Sequence, residues 1–368
     1  MAMTISAKAA SGLSPNTAAR IDALFASFDH PNAPGASVMV IRSGKPVFAK
    51  GYGLANLETK TPCTTNTDFR LASVTKQFTA MAVMLLAEHK QLSLDEPLTA
   101  FFPEFPEYGR AITVRHLLTQ TSGLIDYEDA IPEGTTIPVL DQDVLRVLAA
   151  AEVRRRTPGT PSENRLLTSS ATYFPPGTQY RYSNSGYALL ALIVEVRSGQ
   201  TFARFLRENV FEPLKMTNTL AYEQGLSIVP NRAYGHTPKS NVWQRTDQSL
   251  TSSVLGDGGV YSSVADLAKW DQALYKTKLV SEPMLRVAFS PLTPTDRPGR
   301  SYGFGWYVTE YRGLKEIYHS GETIGFRSRL VRIPEEKFTV IILSNRADAK
   351  LEELPHQIAD LALFAGKQ

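Results

Sequence analysis

Strand-forming runs lie at the two ends of this 368-residue chain, with helices between them, and that placement dictates most of what it can fold into. Near the N-terminus, residues 36–41 and 47–52 are rich in β-branched and aromatic residues. They are joined by Arg42-Ser43-Gly44-Lys45, a hairpin pattern. Near the C-terminus, 302–309, 316–319, 326–333 and 338–344 read as four further strands. Connections this short permit only antiparallel pairing. The two ends are therefore expected to share one antiparallel sheet, flanked by terminal helices over 15–30 and 351–365, with a helical segment inserted between. That is an α+β architecture.

In the middle, 73–90 reads as a long helix whose apolar positions Phe78, Met81, Ala82, Leu85 and Leu86 recur at three and four. Its portion 80–87 is a short amphipathic stretch, and no run approaches the 18 or so apolar residues of a transmembrane helix. Shorter helices are expected at 114–119, 140–153, 187–197, 202–209 and 263–275. Residues 126–178 are otherwise loop-rich, and Tyr127, Tyr173, Phe174 and Tyr180 are candidates to line an apolar pocket there or to pin the loop down.

Several function classes drop out early. Lys plus Arg is 39 and Asp plus Glu 36, a net +3 too small to mark a nucleic-acid partner, and Arg154-Arg155-Arg156 reads as a solvated face. One cysteine, Cys63, excludes an internal disulfide and a zinc–cysteine cluster, and the six histidines form no His-x-x-x-His pair. No metal or other cofactor is expected. Gly-x-Ser-x-Gly and the P-loop pattern do not occur, and Gly51-Tyr52-Gly53 lacks the third glycine of a dinucleotide fingerprint. The N-terminus has no apolar signal core, and a cytoplasmic chain is the expectation. Ala7-Lys8-Ala9 leaves open an exported precursor whose leader was removed.

Three short motifs carry chemistry. Ser73-Val74-Thr75-Lys76 puts a hydroxyl and an amine just under one helical turn apart, on one face. A desolvated lysine can take the proton that keeps a serine hydroxyl from attacking, and a helix N-terminus favours the anion formed. Tyr182-Ser183-Asn184 precedes a helix and offers a phenol and an amide; nearby cations would lower the phenol's pKa. His319-Ser320-Gly321 ends a strand, where glycine lets backbone and substrate approach closely. Alone, each has a plain structural reading: a helix cap, a capping Asn, a turn after an edge strand.

In this order the three motifs resemble those of the penicillin-recognising serine hydrolases, in the branch of class C β-lactamases, DD-peptidases, D-aminopeptidases and family VIII carboxylesterases. The resemblance extends to Phe69-Arg70-Leu71-Ala72, His116-Leu117-Leu118-Thr119-Gln120-Thr121-Ser122-Gly123-Leu124, Pro176-Gly177, Gly258-Gly259-Val260-Tyr261-Ser262-Ser263 and Tyr302-Gly303-Phe304-Gly305-Trp306. It implies a single β-lactamase/transpeptidase-like domain over 1–368, with an α/β subdomain of about 1–72 plus 290–368 and a helical subdomain of about 73–289. Ser73 would be the acylated nucleophile, and Lys76 or Tyr182 its base. Asn184, His319, Ser320 and Gly321 would orient substrate, with the backbone N–H groups of Ser73 and Glu322 as oxyanion hole. Where class C β-lactamases carry Lys-Thr-Gly, this chain has His319-Ser320-Gly321, an imidazole only partly charged near neutral pH. Glu322 adds negative charge there, with Arg327 and Arg329 able to offset it. The implied substrate is a small-molecule ester, amide or lactam. The departure favours a carboxylesterase on small esters with slow or no β-lactam turnover. A D-amino-acid-specific peptidase or DD-carboxypeptidase, a β-lactamase, and a penicillin-binding sensor acylated without turnover are the alternatives. The sequence sets no oligomeric state.

Overall fold

The computed structural model describes residues 12–150, 172–240 and 242–364. Ala7-Lys8-Ala9, Arg154-Arg155-Arg156, residues 151–171 of the loop-rich segment and Ala365 lie outside the described residues. The sheet is the one expected from the two chain ends. Its strands are β1 (Ala36–Arg42), β2 (Lys45–Tyr52), β3 (Thr293–Pro294), β4 (Ser301–Tyr302), β5 (Tyr307–Tyr311), β6 (Leu314–Thr323), β7 (Phe326–Ile333) and β8 (Phe338–Ser344). They are ordered β3-β4-β5-β6-β7-β8-β1-β2 and every neighbouring pair is antiparallel. The ends meet where β1 pairs β8, with Ala36 opposite Ser344. The β1–β2 hairpin turns through Ser43 and Gly44, both at positive φ, which matches the twist of the flanking strands.

Both faces of this sheet are covered, which explains the unbroken apolar run in β1. Val38, Val40, Val340 and Ile342 face the terminal helices Pro15–Leu24 and Leu354–Ala362, packing on Ile21, Phe25 and Ile358. The first of these helices is capped by Ser14, whose Oγ accepts the Thr17 N–H at 3.1 Å. Met39, Ile41, Ile341 and Leu343 face the opposite way, into the larger core built on the helices Lys76–Glu88, Asn184–Ser198 and Val264–Ala273.

Three local expectations are corrected. Helix Lys76–Glu88 is buried at every position from Lys76 to Leu86, so the 80–87 stretch is a core segment with only Ala87 partly exposed. Its polar residues have inward partners: Gln77 Oε1 accepts the Trp270 indole N–H at 3.0 Å, and Thr79 Oγ1 donates to the Gly256 carbonyl at 2.6 Å. Residues 302–309 are two strands, because Gly303 N–H bonds Trp306 O and closes a turn between them. Gly305 sits there at φ +78, with the Lys76 carbonyl 2.7 Å from where a β-carbon would be. His319-Ser320-Gly321 lies inside β6, which continues to Thr323 before turning into β7. The middle of the chain also holds strands, notably the small sheet of Phe69–Arg70, Val260–Ser262 and Leu220–Ala221 that leads the chain into Ser73. No helix among the described residues is long and apolar enough to cross a membrane.

Candidate active site

Phe69–Arg70 pairs with Val260–Ser262 and delivers the chain into a 3₁₀ turn, Ala72–Thr75, that runs on into the central helix at Lys76. Ala72, just before Ser73, has φ +49, a conformation an alanine adopts only under constraint from its surroundings. Part of that constraint is β6. A β-carbon on Gly321 would lie 2.1 Å from the Leu71 carbonyl oxygen and 3.2 Å from Ala72 Cβ. Only glycine lets the strand run this close to the serine turn. Ser328 on β7 completes the clamp by donating its hydroxyl to Leu71 O at 2.7 Å.

Lys76 is fully buried, and its Nζ donates to Ser73 Oγ at 3.0 Å, to Asn184 Oδ1 at 2.8 Å and to the Asp257 carbonyl at 2.9 Å. It stands 4.9 Å from the Tyr182 ring centre and 5.6 Å from that of Tyr187. Burial pulls its pKa from 10.5 down to about 8, while the carboxylates of Asp257, Asp126 and Glu128 hold it up. A neutral amine at this position can accept the Ser73 hydroxyl hydrogen instead of donating to it.

Asn184 is the first residue of its helix, and its side chain serves Lys76 and caps nothing. Its backbone N–H is bound by Asp126 Oδ2 at 2.8 Å, and Ser183 N–H by Gln120 Oε1 at 2.9 Å. These two side chains fix the Tyr182-Ser183-Asn184 segment. The nearby Ser73 hydroxyl favours the ionised Tyr182 phenol, yet its pKa is raised well above 10, because burial outweighs that effect. The expectation of a phenol made acidic by neighbouring cations is therefore overturned, and Lys76 is the group whose proton is free to leave near neutral pH.

His319 brings the larger correction. Its Nδ1 lies 2.7 Å from the Ser320 carbonyl, which can only accept, so Nδ1 carries the hydrogen. Its Nε2, 3.0 Å from Tyr302 Oη, then accepts from the phenol. Burial, with the charge of Lys76 next, drives the imidazole down to about 3, so it is neutral where the sequence implied a partial charge. Tyr302, Tyr307 and Tyr180 wall this side: the Tyr182 and Tyr307 rings stack at 6.4 Å, and Tyr180 Oη donates to Tyr307 Oη at 3.3 Å. Tyr127 and Phe174 are buried. Glu322 points outward with Arg327 Nε 3.7 Å away, and Arg329 packs over the Tyr318 ring.

The arrangement thus gathers Ser73, Lys76, Tyr182, Asn184, His319 and Gly321 at one place, with Ser320 and Glu322 beside them on β6. Sequence reading missed Asp126, Asp257, Gln120 and Tyr302 as parts of it. Tyr302 and Gln120 stood inside quoted motifs; the two aspartates carried no local signal.

A family model described as Beta-lactamase matches residues 21–363. The chain is 31% identical over 365 residues to penicillin-binding protein 4* of Bacillus subtilis (strain 168), spanning 95% of this chain and 76% of that protein. It is 29% identical over 342 residues to a D-aminopeptidase of Brucella anthropi, covering 90% of this chain and 59% of the aminopeptidase, so it spans less than two thirds of that relative's length. Among solved structures, the octameric penicillin-binding protein homologue from Pyrococcus abyssi superposes with a TM-score of 0.78 at 26% identity, over 95% of this chain and 77% of that one. The D-amino acid amidase from Ochrobactrum anthropi SV3 complexed with D-phenylalanine shares the fold, with a TM-score of 0.78 at 22% identity over 96% and 99% of the two chains.

Proposed function

The chain belongs to the beta-lactamase family and is a serine hydrolase, and on that premise we propose that it forms an acyl-enzyme on Ser73 from amides of D-amino acids or short D-peptides that bear a free ammonium group. Neutral Lys76 takes the Ser73 proton as Oγ attacks the substrate carbonyl. The backbone N–H groups of Ser73 and Glu322 receive the oxyanion. Tyr182, a neutral phenol, gives its proton to the leaving amine and is reprotonated from Lys76. In deacylation the same pair takes a proton from water and returns one to Ser73 Oγ. Asn184 holds Lys76 in line throughout.

The observation that carries the substrate class is the sign of the charge around Lys76. Asp126, Glu128 and Asp257 act on it together, and Glu128, although its side chain reaches solvent, is itself pushed to about 7 by partial desolvation and then by those two carboxylates. On the other side His319 is neutral, and Arg300 is engaged by Asp296 and Tyr318. Such a cleft favours a cation on the substrate over the carboxylate a β-lactam or a D-alanyl-D-alanine terminus presents. Relatives named as penicillin-binding and D-aminopeptidase proteins support this peptidase reading over the carboxylesterase one.

The test compares D-phenylalanine amide, its N-acetyl derivative, L-phenylalanine amide, a p-nitrophenyl ester and a cephalosporin, following product and the mass at Ser73. The free D-amide is expected to exceed its N-acetyl form by about tenfold or more in kcat/KM, the equivalent of about 1.4 kcal/mol. Equal turnover of the acetylated amide, or a preferred ester, refutes the substrate class.

A further inference from the structure

We infer that Asp257 is a positioning residue for Lys76: its buried carboxylate, held by Tyr127, sets how tightly Lys76 keeps its proton. The inference rests on the reading of Lys76 as base. Asp257 lies in the short helical turn Leu255–Gly258, which is fastened to its surroundings at both ends. Asp141 accepts the N–H groups of Leu255 at 2.7 Å and Gly256 at 3.1 Å. The next two carbonyls are taken by the central helix, Gly256 O by Thr79 Oγ1 and Asp257 O by Lys76 Nζ. The backbone of Asp257 is thus already committed to Lys76, and any residue type would supply that carbonyl. The carboxylate is a separate feature. It is 7% exposed, and Tyr127 donates its hydroxyl to Oδ2 at 3.0 Å. Tyr127 is held in turn through its N–H, which donates to Ser185 Oγ at 2.8 Å.

A nearly buried carboxylate with one neutral donor is costly unless a cation answers it. The charged and titratable groups acting around Asp257 are Lys76 from the central helix, Tyr127, Asp126 and Glu128 from the preceding loop, Arg70 from the strand before Ser73, Asp141 beneath the turn and Tyr182. Two cations answer it: Lys76 acts the more strongly, and Arg70, whose guanidinium donates to Gln248 Oε1 and Ser252 O, acts less. Burial raises Asp257 to about 6, and among the charges holding the Lys76 proton Asp257 acts most strongly. Between about pH 6 and pH 8 Asp257 is therefore a carboxylate and Lys76 an ammonium, the carboxylate acting across the cleft while its own residue's carbonyl holds Nζ. Above that range the amine is free to accept from Ser73, and Asp257 steadies the ammonium that this transfer creates.

The test replaces Asp257 by Asn, which keeps the backbone carbonyl and an oxygen for the Tyr127 hydroxyl. It reads Lys76 directly, by 13C NMR titration of its Cε in a Ser73→Ala background where no chemistry occurs. The Lys76 midpoint is expected to fall by about one pH unit or more in Asp257→Asn. In Tyr127→Phe, where the carboxylate leans harder on Lys76, it is expected to rise. A merely structural Asp257 would lower stability without moving the midpoint in either direction. An unmoved Lys76 midpoint, or shifts of the same sign in both variants, overturns the inference. If the NMR midpoint moves as expected while the acid limb of kcat/KM stays put, the assignment of Lys76 as base fails and the coupling of Asp257 to Lys76 stands.

Discussion

Replacing Lys76 by methionine should remove a pH-dependent cost that the fold carries at neutral pH. The ammonium is buried and its pKa falls from 10.5 to about 8 on folding. A lysine depressed in this way destabilises the native state wherever the unfolded chain is protonated and the folded one resists it. The cost is full below about pH 8 and fades as pH rises through the unfolded value, because across that window the unfolded state binds more protons. The gap, 10.5 − 8 or about 2.5 pH units at about 1.36 kcal/mol each, amounts to about 3 kcal/mol. Urea unfolding of both proteins at several pH values between about 7 and 10 reads this, and the rise of the Asp257 and Glu128 carboxyls on losing Lys76 adds to it in the same direction. Wild type should gain about 2–3 kcal/mol on Lys76→Met across the interval, whatever the fixed cost of leaving Asn184 Oδ1 and Asp257 O without their donor. Parallel curves would refute the reasoning, and with it the claim that burial prepares a base. The same displacement leaves about a tenth of the enzyme with neutral Lys76 at pH 7 and about nine tenths at pH 9.

His319→Gln should lower kcat/KM, since the Tyr302 hydroxyl and Ser320 carbonyl lose a shaped partner. It should leave the acid limb of the pH–rate profile in place, because a neutral imidazole contributes no charge there; displacement by a full pH unit in a kinetic titration would show that the imidazole is charged. Asp271→Ala should cost about 3–5 kcal/mol in urea unfolding, because Arg332 would stay buried without its carboxylate. The pair is nearly inaccessible, bonded at 2.7 Å, and boxed in by the rings of Tyr275, Phe289 and Trp306. A loss below about 1 kcal/mol would mean that water replaces the lost partner.

The sheet was legible because a strand buried on both faces leaves a continuous apolar signature, as 38–41 and 340–343 do, and short connections leave one way to pair it. The central helix was half legible. Phe78, Met81 and Leu85 mark a helix, but nothing local shows that the polar Gln77 and Thr79 are buried, because the partners that satisfy them, Trp270 and Gly256, lie more than 170 residues away in the chain. The strand break at 303–306 is likewise set by a tertiary approach, that of Gly305 to the Lys76 carbonyl. In the site, the residue types were readable and their charge states were not. Histidine at position 319 is a sequence fact, whereas its neutrality follows from burial and from a phenol and a carbonyl that claim both nitrogens. Asp126 and Asp257 were silent because an isolated aspartate in a loop or a glycine-flanked turn has many ordinary uses.

These charge states constrain one another. A lysine at position 319 would add a permanent cation facing Tyr182, lower the phenol, and give the proton traffic a second entrance. His319 closes that route, since its Nδ1–H is spent on Ser320 and its Nε2 on Tyr302. Tyr182, buried among rings, then remains a donor across the working pH range, and Ser73 has one group left that can take its proton. Under the proposed mechanism the base is then the lysine beside three carboxylates, whose proton is held more firmly than burial alone would hold it. A substrate ammonium entering this cleft would answer those same carboxylates and loosen their hold on Lys76. Binding of a cationic substrate would in that way favour the neutral amine its own hydrolysis requires, whereas a neutral ester would leave the resting pair undisturbed.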